Sequence, residues 1–339
     1  MFSFESFLNL PLIWGGLIAT AIFLYVLLDG FDLGVGILFP FAPSEACRNK
    51  LMNSIAPFWD GNETWLVLGG GGLFAAFPLA YAILMPAFYM PIMVMLLGLI
   101  FRGVAFEFRF KATARGRKLW DYAFHFGSLI ASFCQGVMLG TFVQGVSVQG
   151  RVFSGAGFDW FSPFALMTGA ALVFGYALLG ATWLVMKTDD QTQKWARSCA
   201  KYVAIYVIGF MGLVCVWVPS LNHQICHRWF SMPNLVYLAP IPLLTIWTAS
   251  TLFQSLARQD EAKPFLMSIL LFALGYAGLA VSLWPWVVPY QVSLRQAAAA
   301  PESLSLLLVG VVLFLPCVLG YTAYSYYVFR GKSHADSEY

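Results

Sequence analysis

The sequence predicts an all-α integral membrane protein with about nine transmembrane helices. Its 339 residues are 60% hydrophobic and only 10% charged, whereas a soluble domain is about one quarter charged because its surface faces water. Aromatic residues make up 17% of the chain, and such side chains are enriched where helices leave the bilayer. The net charge is only +3, and the basic residues fall in separate clusters. We therefore expect membrane lipids, and no nucleic acid, as partners.

Nine apolar runs account for the predicted crossings, each of which needs about 20 residues to span the hydrocarbon. The second run is the weakest, since it contains four glycines at 69–72 and spans only if its helix begins earlier, near Ser54. No polar segment is long enough for an extramembrane domain, so residues 1–339 are expected to form a single polytopic membrane domain. The runs are residues 12–38, 62–77, 78–101, 121–146, 162–186, 202–219, 235–256, 265–288 and 304–328.

Basic residues predict the orientation of these helices. The loop 102–118 carries six Lys or Arg residues, and further basic clusters follow at alternate crossings near 187–201, 258–263 and 330–332. Because cytoplasmic loops collect Lys and Arg, the sequence places these segments and the C-terminus in the cytoplasm. Nine crossings then place the N-terminus outside, in the periplasm. If residues 54–77 do not cross, eight crossings place it inside; Arg48 and Lys50 favour nine, because they place the first loop in the cytoplasm.

The first segment that needs a functional explanation is DGFDLGVG at residues 29–36. Asp29 and Asp32 lie three residues apart on one face of an otherwise apolar helix. An ionised carboxylate within the bilayer costs several kcal/mol unless it is paired or hydrated, so such a pair indicates a proton or ion pathway. The alternative is a helix end that is capped by an Asp-Gly turn.

Two further polar segments follow. Asp60 and Glu63 share a face at the start of the glycine-rich run; alternatively they are first-turn acids favoured by the helix dipole. Arg102 and Glu107 lie at the cytoplasmic end of the third run. They are predicted to complete a polar network with the acids, although for the basic residues of this loop an anchoring role is the stronger alternative.

The histidines are poorly placed for haem binding. His125 lies within a predicted span, whereas His223 and His227 fall in an external loop, and a bis-histidine haem needs two facing ligands. His125 is interpreted as a packing or hydrogen-bonding residue. The pair His223 and His227 belongs to an ordinary polar loop or to a surface metal site. The six cysteines are scattered without a CxxC pair, so they are interpreted as small packing residues and not as a disulfide or cluster framework; no metal ligand is assigned.

The polar segments closely resemble subunit II of the cytochrome bd-type quinol oxidases. The resemblance spans nearly the whole chain, and its short length and compact loops are similar to the cyanide-insensitive branch. The matching segments are residues 29–36 (DGFDLGVG), 53–65 (NSIAPFWDGNETW), 101–109 (FRGVAFEFR), 144–145 (QG) and 319–322 (LGYT).

The resemblance implies a terminal oxidase of the bacterial inner membrane that oxidises quinol and reduces dioxygen to water. It implies two four-helix bundles plus one peripheral helix. Haems b and d, and with them the chemistry, are expected in a partner subunit I, which leaves no catalytic residue in this chain. Small single-helix accessory subunits and a structural quinone, either ubiquinone or menaquinone, are further expected components.

The same match assigns roles to individual residues. The aspartate of the WDGN motif, Asp60, would lie on a cytoplasmic proton path with Asp29 further along, and Trp59 would lie near a bound quinone. Arg102 is expected to be a network residue. Some family members carry Gln at the position of Glu63 and Pro at that of Gly103. The predicted proton-pathway residues are Asp29, Asp32, Asp60, Glu63 and Glu107.

Two alternative functions remain open at this stage. A proton-coupled secondary transporter would use paired intramembrane acids in the same way. Transporters usually show repeated halves, however, and here the acids concentrate in the first 110 residues. The other alternative is a purely structural assembly subunit whose acids hold helices together.

Overall fold

The structure is a computed structural model that describes residues 9–334, and the predicted location of the N-terminus concerns residues outside this range. Helices dominate the described chain, which confirms the predicted all-α class. The helices are α1 (Leu10–Leu38), α2 (Glu45–Ile55), α3 (Trp59–Ala76), α4 (Pro78–Ala87), α5 (Tyr89–Arg109), α6 (Ala114–Gln144), α7 (Pro163–Lys187), α8 (Asp190–Leu221), α9 (His223–Phe230), α10 (Asn234–Leu238), α11 (Pro240–Ala257), α12 (Lys263–Leu283), α13 (Leu294–Ala297) and α14 (Pro301–Val328). The strands are β1 (Val148–Gln149), β2 (Val152–Phe153), β3 (Trp286–Val288) and β4 (Val292–Ser293).

Eight helices within residues 9–334 are long and apolar enough to cross a membrane, namely α1, α5, α6, α7, α8, α11, α12 and α14. The polar start of α3 keeps it outside this group. Nevertheless, α3 lies antiparallel along α1, because Asn62 contacts Asp32 while a Cβ placed on Gly72 would lie 3.2 Å from Ile18. Its 18 residues extend about 27 Å, close to the thickness of the hydrocarbon, so α3 stays the predicted ninth crossing. It begins at Trp59.

Three predicted boundaries are wrong. Ser54 does not start α3 but lies in α2, where its hydroxyl donates to the Leu51 carbonyl. The run 78–101 is divided into α4 and α5, and α4 packs against β2 and β3. The run 265–288 ends as a helix at Leu283; Pro285 follows, and a proline lacks the N–H that a helix interior needs. The chain then forms the antiparallel hairpin β3–β4.

The crossing helices form two groups. Helices α1, α3, α5 and α6 pack together, and α7, α8, α11 and α12 form the second group. Helix α14 touches α1 and α3 along one side, and Leu304 is its buried residue. This arrangement corresponds to two four-helix bundles with one peripheral helix.

Helices α1 and α7 join the two bundles through a close backbone contact. A Cβ on Gly34 would lie 1.8 Å from the Tyr176 carbonyl oxygen, and one on Gly180 would lie 2.4 Å from the Gly34 carbonyl carbon. Glycine at both positions therefore lets the helix backbones touch. The contact holds the DGFDLGVG segment between the bundles.

The basic segments meet at one end of the molecule, which we call the basic end. Lys50 contacts Asp189, and Lys332 Nζ lies 2.8 Å from Glu261 Oε2. Residues 329–334, the C-terminal strap, lie across this end: the Ser333 amide donates to the Lys187 carbonyl at 2.7 Å. The opposite end, which carries both hairpins, is the hairpin end.

Candidate functional site: a buried ion pair and its carboxylate neighbours

A buried ion pair lies at the centre of the site. Arg102 of α5 places Nη1 2.7 Å from Oδ1 of Asp29 in α1, and neither side chain has any exposed surface. The contact is an ion pair without hydrogen-bond alignment, and Nε and Nη2 of Arg102 have no hydrogen-bond partner among the described residues. Close approach of α5 and α6 at Gly98 and Gly127 helps to bury the pair. Breaking one member of such a pair strands a charge and typically costs about 3–5 kcal/mol.

Asp32 has a different environment one turn further along α1. Its Oδ2 accepts a hydrogen bond of 2.7 Å from the Asn62 amide, and the same nitrogen lies 3.2 Å from the Leu28 carbonyl. The Tyr326 hydroxyl of α14 donates to Asn62 Oδ1 at 3.0 Å. Asp32 is fully buried, and its Oδ1 has no hydrogen-bond partner within residues 9–334. The partner of Asp32 is thus a neutral hydrogen-bond donor, whereas the partner of Asp29 is a cation.

The two acids of α3 lie between this buried pair and the surface. Glu63 is half-buried and interacts electrostatically with Arg102, Asp29 and Asp60. Asp60 is exposed in the first turn of α3. The exposure of these acids therefore decreases in steps, from Asp60 through Glu63 to the two fully buried aspartates of α1.

Glu107 lies apart from this series. Its side chain is 69% exposed and 3.9 Å from Lys111. Five residues separate it from Arg102, so the two side chains point in different directions from α5. The geometry brings Arg102 to the acids and leaves Glu107 outside.

Trp59 forms an aromatic wall beside the ion pair. Its ring stacks on Phe106 with centroids 4.8 Å apart and an interplanar angle of 2°. Gly103 lies beneath the indole, where a Cβ would approach the ring to 3.5 Å. Trp59 is half-buried, and the stacked pair lies next to the backbone of Gly103, the residue after Arg102.

A second buried arginine was not recognised from the sequence. Arg109 has no exposed side-chain surface, and it lies 2.6 Å from Asp121 and 2.7 Å from Glu45. Its Nη1 donates to Asn49 at 2.8 Å. Burial acts to raise the pKa of the Glu45 carboxyl, but Arg109 and the neighbouring arginines hold it below its usual value. Arg109 therefore ties together α2, α5 and α6, whereas the sequence favoured an anchor that faces the headgroups.

The histidines occupy separate places in the structure. His125 is half-buried with Nδ1 3.3 Å from the Gly36 carbonyl oxygen. His223 and His227 line an open depression of about 430 Å³ with Arg228 and Asn234 at the hairpin end. Within residues 9–334, no group of three or more His, Cys, Asp or Glu side chains is arranged to hold a metal ion.

The fold and the site define a class of protein: a polytopic membrane protein with a charged cluster buried within the first of its two helical bundles. Residues 10–329 match the family described as cytochrome bd terminal oxidase subunit II. The chain belongs to this family. It is a subunit of a respiratory quinol oxidase.

Individual relatives agree with this assignment. The chain is 29% identical to cytochrome bd-I ubiquinol oxidase subunit 2 of Escherichia coli (strain K12), with 95% of each chain covered. It is 30% identical to cytochrome bd ubiquinol oxidase subunit 2 of Bacillus subtilis (strain 168), over 96% of this chain and 97% of the relative. The structure of bd oxidase from Geobacillus thermodenitrificans superposes with a TM-score of 0.75 at 17% identity, covering 95% of this chain and 99% of that one. The structural likeness confirms the fold.

Proposed function

We propose that the chain is the haem-free subunit of a ubiquinol or menaquinol oxidase, which supports a haem-bearing subunit I and delivers protons to it from the cytoplasm. Relatives named as ubiquinol oxidase subunits favour the first quinol. The arrangement of the histidines supports a haem-free role, because His125 faces a backbone carbonyl and His223 and His227 lie together at the hairpin end. Haems b and d would then belong to subunit I.

The observation that carries the proton path is an imbalance of charge. Asp29, Asp32 and Glu63 all interact electrostatically with the single guanidinium of Arg102, which offsets the charge of one carboxylate. Carboxylates in excess of their cations are costly in a membrane interior. Such groups relieve the cost by binding protons, and a group that can gain and lose a proton is what a proton path needs.

The path would begin at Asp60 and continue through Glu63 to the pair of buried aspartates in α1. Asp60 is exposed, Glu63 is half-buried and Asp32 is fully buried, so the series leads from the surface to the ion pair. Glu107, which lies outside the series, stays a sequence prediction as a pathway residue.

The proposed orientation places the basic end in the cytoplasm of a bacterium, with the chain in the inner membrane. It rests on the basic clusters that meet there. A cysteine at the exposed Lys111 should resist membrane-impermeant thiol reagents in intact cells and react in inverted vesicles. The exposed Cys215 and Cys317, and the partly exposed Cys226 of α9 at the hairpin end, must first be changed to Ser. Labelling of the new cysteine in intact cells would reverse the orientation.

We also propose that a structural quinone lies against Trp59. The flat pair of Trp59 and Phe106 suits a quinone ring, since aromatic rings pack in offset or stacked pairs. Subunit I and small single-helix accessory subunits would cover part of the exposed apolar surface, for instance along α14, and lipid would cover the rest.

The test of the proton path uses isosteric changes in the purified two-subunit complex. Asp60→Asn keeps the shape and can still accept a hydrogen bond near a helix start, but it can no longer carry a proton. Quinol oxidase turnover should fall by about tenfold or more, with haem content near wild type. Asp32→Asn should act in the same direction. The matched control is Glu302→Gln, an exposed acid in the first turn of α14, which should keep full turnover.

Two results would contradict the proposal. Full turnover and proton uptake in both aspartate variants would exclude a relay. Loss of the haem bands together with activity would favour a structural subunit whose acids only hold helices together.

A further inference from the structure

A chain of three polar side chains extends from the buried ion pair into the interior between the bundles. The Tyr176 hydroxyl of α7 donates to Gln135 Oε1 of α6 at 2.7 Å, and Gln135 Nε2 donates to the Tyr25 oxygen of α1, also at 2.7 Å. Tyr25 lies one turn before Asp29, and its hydroxyl interacts with that carboxylate. Neither Asp29 oxygen accepts a well-aligned hydrogen bond from the described residues, so this last contact is the loosest link.

All donors in this chain of hydrogen bonds point toward Asp29. A tyrosine hydroxyl has one proton, and because the Tyr25 oxygen already accepts from Gln135, its own proton remains to donate to the carboxylate. The opposite orientation of the Gln135 amide would turn the Tyr25 proton toward Gln135. It would then present the oxygen lone pairs of Tyr25 to the negative carboxylate.

The Gln135 amide in the middle of this hydrogen-bond chain allows the chain to position the Tyr25 hydroxyl but not to conduct protons. Gln135 accepts through one atom and donates through another, and its nitrogen has no ionisable proton to relay. The chain therefore fixes the direction of the Tyr25 hydroxyl instead of carrying protons away from the site. A hydrogen bond that is donated to a carboxylate stabilises its charged form.

We infer that Tyr25, with Gln135 and Tyr176 behind it, acts with Arg102 to hold Asp29 as a permanent anion, so that Asp32 is the carboxyl group that exchanges protons. Tyr25 is thus a positioning residue. This division of roles rests on the proposed proton path.

The surroundings of the two aspartates support the division. The direct partner of Asp29 is the cation Arg102, with the Tyr25 hydroxyl one helical turn away, whereas the direct partner of Asp32 is the neutral amide of Asn62. Burial and charge repulsion from Asp29 and Glu63 disfavour the charged form of Asp32, and the more distant attraction by Arg102 opposes them. The titratable and charged groups that face the aspartates are Tyr25 (α1), Glu63 (α3), Arg102 (α5), Tyr176 (α7) and Tyr326 (α14).

Infrared spectroscopy of the resting two-subunit complex tests the assignment without turnover. A protonated carboxyl group has a carbonyl stretch that shifts in D2O, whereas a carboxylate does not absorb there. We expect such a band to be lost in Asp32→Asn, where Asp29 keeps Arg102 as its ion-pair partner. Retention of the band in Asp32→Asn would overturn the inference.

A milder variant keeps the test decisive if Asp32→Asn fails to assemble. Tyr25→Phe removes only the hydroxyl that stabilises the charged form of Asp29. Asp29 should then bind a proton at higher pH, so we expect the decline of turnover in acid to begin at higher pH than in the wild type. Tyr176→Phe should shift this decline by a smaller amount. Tyr276→Phe is the matched control, since the Tyr276 hydroxyl donates to the Ala19 carbonyl at 2.7 Å, outside the chain. Identical pH profiles for Tyr25→Phe and Tyr276→Phe would overturn the inference.

The two proposals fail in different ways. Full turnover and proton uptake in Asp32→Asn would refute the proton path, while the infrared bands would still report which aspartate is protonated. Conversely, a band that belongs to Asp29 would refute the division of roles and leave a proton path through both residues intact.

Discussion

Asn62 connects Asp32 of the first helix to Tyr326 of the last, through hydrogen bonds of 2.7 and 3.0 Å. Its amide nitrogen donates to Asp32 and approaches the Leu28 carbonyl, and its oxygen accepts from the tyrosine, so both ends of the amide are used. Tyr326 is held in turn by stacking on Phe58, with centroids 4.4 Å apart. The peripheral helix α14 therefore contributes directly to the environment of Asp32.

Tyr326→Phe should destabilise the complex by about 1–3 kcal/mol, because it leaves the buried oxygen of Asn62 unpaired. Stacking on Phe58 would survive the change. The measurement is the thermal midpoint of the complex, with Tyr324→Phe as the control, since Tyr324 is 65% exposed on the same helix. Equal midpoints for the two variants would show that the hydrogen bond to Asn62 contributes nothing.

Arg102→Leu should cost about 3–5 kcal/mol, because it strands the buried charge of Asp29. Adding Asp29→Leu should recover a large part of that loss, since the double variant buries no lone charge. Retention of haem during heating of the complex reports both effects. Arg330→Leu serves as the control at an exposed arginine. A double variant that is less stable than Arg102→Leu alone would contradict the ion-pair account.

The sequence predicted the acids better than their partners. Asp29 and Asp32 stand out because carboxylates are rare in an apolar run, and both are fully buried. The role of Asn62 was missed, since a neutral amide next to two acids gives no comparable signal. Arg109 was interpreted as an anchor because a basic residue of this loop can either face the headgroups or pair with buried acids. The sequence does not distinguish these two roles until the positions of the neighbouring helices are known. Only the packing of α2 and α6 against α5 shows that its partners are Glu45 and Asp121.

The fold was predictable to a similar degree. Long apolar runs give most of the crossings, because their length is set by the thickness of the bilayer. The break between α4 and α5 and the hairpin β3–β4 were not foreseen, since both segments are apolar and hydropathy does not distinguish a helix from an extended chain. The proline at 285 was the available signal for the end of α12.

Gly34→Ala should prevent assembly or destabilise the complex by more than the roughly 1–3 kcal/mol of ordinary overpacking, because its Cβ would lie 1.8 Å from the Tyr176 carbonyl oxygen. That atom belongs to a helix backbone and cannot rotate away. Gly16→Ala is the matched control on the same helix, since a Cβ there meets nothing within 4 Å. The yield of the haem-loaded complex distinguishes them, and equal yields would contradict the close contact of α1 and α7.

Acid should release the C-terminal strap before it disturbs the hairpin end. The hydrogen bond from Lys50 lowers the pKa of the Asp189 carboxyl, and that from Lys332 lowers the pKa of Glu261. A carboxyl group whose pKa is lower in the folded than in the unfolded protein stabilises the fold at pH values above the group's ordinary pKa, about 4. This contribution is lost as the pH falls through the lowered pKa. Between pH 7 and 5 both contacts should therefore persist, and below about pH 4 they should weaken.

Hydrogen exchange of the Ser333 amide measures this release, because that amide donates to the Lys187 carbonyl only while the strap is in place. Its protection, corrected for the intrinsic effect of pH, should fall below about pH 4. The Ala299 amide, which donates to the Ala76 carbonyl at 2.9 Å near the hairpin end, is the internal control. Glu261→Gln, which removes the carboxylate that contacts Lys332 of the strap, should lower the protection of Ser333 at neutral pH as well. If Ser333 stays as protected in acid as Ala299, the two carboxylates do not hold the strap.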